Sequence, residues 1–111
     1  MMKTRSHFVL IANLVSALAC SSAAVAQNTP ELAAAMRMPT DRFETLSCQK
    51  LWYLEHKVLA AGRVCLPTER ARAAFSSAKH CISKNERILA APVQAYLTKL
   101  RNVAGAKNCT S

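Results

Sequence analysis

Acidic residues, aromatic rings and closely spaced metal ligands are all scarce in this chain, and each shortage removes a class of function. Only 6 Asp and Glu stand against 15 Lys and Arg, the wrong sign for an inhibitor of a cationic wall hydrolase. Aromatics make up 5% of the residues, too few for the stacking platforms that bind single-stranded nucleic acid, and no segment resembles a recognition helix. No nucleic-acid partner is therefore expected. CxxC, CxxCH and HxxxH are absent, so the usual zinc and haem spacings are missing. Met36 and Met38 are too few for a copper-binding tract. The chain is expected to hold no metal and no cofactor. Neither a repeat nor a low-complexity tract is present, and strand-like alternation is missing. The fold class that follows is small all-α.

A membrane span of about 20 apolar residues is also lacking. What the N-terminus has instead is the three-part order of a secretory signal. MMKTRSH is a positive n-region, FVLIANLVSALA an apolar stretch interrupted by Asn13 and Ser16, and Ala24-Val25-Ala26 a small-x-small cleavage site. A rival reading makes Cys20 a lipidated N-terminus, although Ala17 stands where such signals usually place Leu. Cleavage after Ala26 leaves 85 residues. With Lys3 and Arg5 gone, 13 basic residues face 6 acids, a formal charge of +7. A domain of this size buries only about 60 to 65 per cent of its unfolded surface, so its core needs reinforcement.

Residues 27–46 read as a loosely ordered segment outside the cysteine framework, with Thr29 capping a short ELAAAMR helix that Pro30 opens and Pro39 ends. From Ser47 the helical signal strengthens. Ser47 is a candidate N-cap and Gly62 a stop, giving a helix over 48–61. Leu54, Val58, Leu51, Cys48, Leu59 and Trp52 fill one arc of about 160° on it. Pro67 forbids continuation, Thr68 caps a brief ERARAAF helix, and Ser83 with Glu86 has capping-box spacing. A last helix over 92–104 places Val93, Tyr96, Leu97, Leu100, Val103 and Ala104 on one side. Gln94, Thr98, Lys99, Arg101 and Asn102 face away. The expected architecture is a disulfide-stapled domain of about three helices over 47–111.

Four cysteines in a short exported chain predict two disulfides. The far end of the 48–61 helix lies about 20 Å from its start, so Cys48 reaches Cys65 with difficulty. Cys65 and Cys81 bracket one short helix, which leaves Cys48 for Cys109 and sets the last helix antiparallel to the first. The sequence leaves the other two pairings open. With every thiol consumed, no Cys/His nucleophile is available, and the chain is not expected to be an enzyme. His56 reads as a rim histidine resting on Trp52, and His80 as a structural residue in a polar loop. Glu55, a carboxylate within the apolar arc, demands a cation. Arg70 or Arg72 of the ERARAAF helix is the predicted partner.

The run SCQKLWYLEHKVLAAGRVCLPTERARAAF, followed by Cys81 and Cys109, resembles the YARHG-type domains of exported bacterial proteins. The shared features are a Cys before Leu51-Trp52-Tyr53, a helix ending at Gly62, Cys65 close behind it, and an Arg70-Ala71 helix leading to Phe75. The pentapeptide that names the family falls on Val58 to Gly62, where Gly62 matches. The resemblance implies a YARHG-like helical domain over 47–111 in a periplasmic or secreted protein, without catalytic residues. The function expected is a small binding or structural module of the cell envelope. Its basic surplus favours an anionic envelope polymer, lipid headgroups or an acidic envelope protein. The alternative is an enzyme or enzyme inhibitor acting on cell-wall material.

Overall fold

In the computed structural model, residues 29–110 are described; the signal over 1–26 and the Cys20 alternative lie outside them. Three of the four described α-helices start where a short polar side chain takes an orphan N–H. Thr29 Oγ1 accepts from the Leu32 amide at 3.2 Å and opens α1 (Pro30–Ala35), with Pro30 in the first turn. Ser47 Oγ accepts from Lys50 N–H at 3.2 Å and opens α2 (Cys48–Ala61). Thr68 Oγ1 accepts from Ala71 N–H at 3.1 Å ahead of α3 (Glu69–Ala74). α4 (Ala91–Ala106) lacks a side-chain cap and relies on Pro92 in its first turn. Two 3-10 turns complete the chain, Thr40–Thr45 and Glu86–Ile88. The architecture is thus all-α and stapled: among the described residues, 47–111 holds three α-helices, as expected, and α1 precedes them. Among the described residues the one β-type pairing is an isolated bridge between Val64 and Ser83. No helix among them is long and apolar enough to cross a membrane.

α2 packs on α4, and their apolar faces make the centre of the core. Leu51, Val58 and Leu59 meet Val93, Leu97 and Leu100, each at most 4% exposed. The two helices also end alike. Gly62 has φ −83°, whereas the next residue, Arg63, takes the left-handed φ of 64°. Arg63 N–H then bonds to Ala60 O and Val64 N–H to Leu59 O, the Schellman pattern. At the end of α4, Asn108 takes φ 57°, and the amides of Asn108 and Cys109 return to Gly105 O and Ala104 O. Both turns send the chain directly to a cysteine. Gly62 is therefore required for space, not for conformation: a Cβ there would run into the side chain of buried Leu89.

The bridges join Cys48 to Cys109 and Cys65 to Cys81, with Cα separations of 5.3 and 4.9 Å. The first ties the start of α2 to the end of α4 and holds the pair antiparallel. Two disulfides suit an oxidising compartment outside the cytoplasm.

The reading of 27–46 as a loosely ordered segment needs correction. Leu32, Ala35 and Phe43 are 4%, 2% and 0% exposed and belong to the core. Phe43 meets Tyr96 edge to face at 5.1 Å, and the Tyr96 hydroxyl donates to Met38 O at 2.7 Å. Lys107 Nζ donates to Glu44 O and Leu46 O at 2.9 and 2.7 Å. Burial of the Tyr96 phenol pushes its pKa up to about 12. The arm has few large apolar residues, but its helix packs on α2 and its 3-10 turn on α4.

Two outcomes follow from this packing. Gly62→Ala suits the local backbone but overpacks Leu89, so it should cost about 1 to 2 kcal/mol, read as a lower Tm in thermal unfolding. Removing the longer bridge (Cys48→Ala with Cys109→Ala) should cost about 4 kcal/mol and removing the shorter one about 3. Denaturant titration of both double variants checks that order.

Candidate functional site

Glu55 does find an arginine, but neither Arg70 nor Arg72. Arg101 of α4 donates through Nε to Glu55 Oε2 at 2.9 Å. Its two terminal nitrogens fork onto Glu86, both bonds at 2.8 Å. One guanidinium thus joins α2, the second 3-10 turn and α4. The expectation failed because Glu55 faces α4, and because Arg101, placed outward on its helix, bends back along its apolar stem. The fork holds the Glu86 carboxyl below the usual carboxylate range, and nearby His56 adds to the effect. The two carboxylates raise the pKa of Arg101, so it stays charged.

Arg70 and Arg72 have other work. Arg70 lies over the Trp52 indole, its Cζ 3.9 Å from the ring centroid, a cation–π contact. Arg72 donates to Leu66 O at 3.1 Å. His56 is likewise displaced from its expected rim position: it is 7% exposed, with Nδ1 hydrogen-bonded to Trp52 O at 2.8 Å and its ring 4.5 Å from the indole. His80 is exposed, and its carbonyl accepts from Arg63 Nε at 2.9 Å. Among the described residues no three His, Cys, Asp or Glu side chains gather closely enough to hold a metal ion. No serine or cysteine side chain among them bonds to a histidine.

A concave feature lies between the arm and α2. This groove, of about 800 Å³, has a mainly apolar wall formed by Met38, Pro39, Leu46, Trp52, Tyr53 and Leu54. Arg37, Lys50 and Lys57 line its edges, and no acid does. All three cations are exposed, and none has an ion pair or a side-chain hydrogen bond. Lys50, Tyr53, Leu54 and Lys57 stand three and four residues apart and so share one face of α2. Ala35 and Lys57 also line a second hollow of about 340 Å³, which continues past Ala60, Ala61 and Phe75. Tyr53 and Phe75 touch at the junction, with centroids 4.9 Å apart. The Tyr96 bond to Met38 O fixes the arm that forms the opposite wall.

No family model matches this chain, and neither a curated protein nor a solved structure does. The likeness to YARHG-type domains thus rests on the residues quoted above, and the groove has to be understood from its own chemistry. Sequence reasoning missed it because Lys50, Tyr53 and Lys57 lie outside the apolar arc of α2 and the opposite wall belongs to the arm. The available signal was the pairing of an apolar Tyr53-Leu54 step with cations one turn to either side.

The Arg101 fork has a defined pH signature. A carboxyl whose folded pKa is depressed stabilises the fold above its ordinary value, 4.5 for Glu86, and that stability is lost as pH falls through the lowered value. Because the fork is partly solvated, Glu86→Gln should cost only about 1 kcal/mol at pH 7. Melting curves of the wild type and Glu86→Gln should converge as pH falls well below 4.5. An equal gap at neutral and acid pH contradicts this account.

Proposed function

We propose that the chain is an exported, disulfide-locked module of the cell envelope, YARHG-like in build, that binds an anionic component through the face of α2. The observation that carries this reading is the cationic edge of the groove. Elsewhere on the molecule Arg101, Lys79 and Lys107 are engaged by carboxylates or carbonyls, and the unpaired Lys99 lines a hollow that it shares with Glu44. Arg37, Lys50 and Lys57 are left uncommitted around an acid-free hollow. A cluster of one sign beside low-dielectric walls concentrates counter-charge. The two bridges support a periplasmic or secreted location, and the N-terminal sequence pattern supports export. The absence of a free thiol among the described residues favours binding over covalent catalysis.

The test is retention of the oxidised, processed protein on an immobilised phosphate-bearing wall polymer. Exposed charges are screened within about 10 Å at 0.1 M salt, so retention should be strong in dilute buffer and lost at high salt. Lys50→Gln with Lys57→Gln should elute earlier than Lys99→Gln, a change of one exposed cation on α4. Identical elution of the variants and the wild type would remove the face of α2 from the reading.

A further inference from the structure

The two hollows adjoin along Ala35 and Lys57 and together make a trough, whose α2 lining residues run from Ser47 to Ala61, about 20 Å along the helix axis. The combined shape is long and narrow, and the volume of the larger part lies within the range of small-molecule sites, about 300 to 1,000 Å³. Its lining is what decides the occupant. Trp52, Leu54, Met38 and Leu46 present hydrocarbon and ring surface, while the polar ends of Gln49 and Tyr53 lie at exposed positions. The Ser47 hydroxyl at one end is already used as the helix cap. A polyanion alone would leave that surface in water, while an uncharged chain would leave the cations unused.

We propose that the trough takes one anionic phospholipid, an acyl chain of it lying along α2 and its phosphate held by Lys50, Lys57 and Arg37. The proposal rests on the anionic-partner reading above and gives it a site and a chemical class. Charge complementarity is confined to the edge, where three unpaired cations meet no acid, while the interior matches an apolar tail. Lys50 and Lys57 stand about 10 Å apart along the same face, flanking Tyr53 and Leu54. A phosphodiester between them can therefore place its chain directly on the apolar step. An extended peptide gains nothing comparable, because the trough is bordered by helices with no free strand edge to add to.

Trp52, the chain's one tryptophan, lines the trough and reports occupancy without a label. The oxidised protein is titrated with dihexanoylphosphatidylglycerol below its micellar concentration, and with dihexanoylphosphatidylcholine and glycerol 3-phosphate in parallel. The expected result is a saturable blue shift of Trp52 emission with the phosphatidylglycerol, a response at least tenfold weaker with the phosphatidylcholine, and none with glycerol 3-phosphate. Each neutralised cation should weaken binding about fivefold, so Lys50→Gln with Lys57→Gln should raise the apparent Kd about 25-fold. Lys99→Gln should leave it unchanged. Circular dichroism of the variants, whose changes are all at exposed positions, checks that each is folded. Equal responses to both phospholipids, a response to glycerol 3-phosphate alone, or no shift with any of the three overturns the lipid site. Retention on the wall polymer with no lipid response defeats this inference only; failure of both measurements defeats the anionic-partner reading as well.

Discussion

Antiparallel docking of α2 on α4 is the constraint from which the other features derive. The domain is too small for its core to leave a wide margin, and the bridge from Cys48 to Cys109 closes a span of 61 residues at one end of that helix pair. Its position depends on backbone detail. A left-handed residue after α4 turns the chain so that Cys109 lies beside the first residue of α2. Once that end is closed, the apolar faces of the two helices face each other over their whole length. The same turn at the end of α2 sends the chain toward Cys65 and the shorter bridge. Two identical backbone devices thus feed two covalent links.

Midway along the pair a second fastening is ionic. Arg101 holds Glu55 and Glu86 at once, tying the second 3-10 turn to both long helices. A fork on a single carboxylate restricts geometry more than a lone ammonium could. The solvated setting keeps its energetic share modest, however. Sulfur supplies most of the stabilisation and the guanidinium supplies orientation. The arm is then laid over α4 by Phe43, by the Tyr96 hydroxyl and by Lys107, with backbone carbonyls taking the polar contacts.

Local features were legible in the sequence. The caps at Thr29, Ser47 and Thr68, the extent of α2 and the apolar face of α4 all depend on residues within a turn or two of one another. Helical rise was enough to favour the sulfur pairs, since distance alone makes the contact of Cys48 with Cys65 difficult. Features that depend on docking were hidden. Glu55 announced its need for a cation, but only the crossing of α2 and α4 selects Arg101 over Arg70 or Arg72. The same crossing buries His56. Phe43 reads as an isolated ring in a polar stretch until Tyr96 meets it from 53 residues further on. The trough was hidden for the same reason, because one wall is the arm and the other is α2.

Holding the arm down has a consequence for the surface. Were residues 29–46 free, Leu54 and the apolar side of Trp52 would belong to an open helix face, and Lys50 and Lys57 to an ordinary solvated stripe. Fixing Met38 through the Tyr96 hydroxyl converts that face into a walled channel with charge only at its edge. Arg70 meanwhile covers the Trp52 ring and limits how much of the indole is exposed. Arginines expected to carry the architecture instead shape the neighbourhood of the channel, while the architecture rests on Arg101. The assignment of cations is therefore the link between fold and function. Those that touch carboxylates or carbonyls build the domain, and of the cations left without partners Arg37, Lys50 and Lys57 are the ones gathered beside the apolar channel.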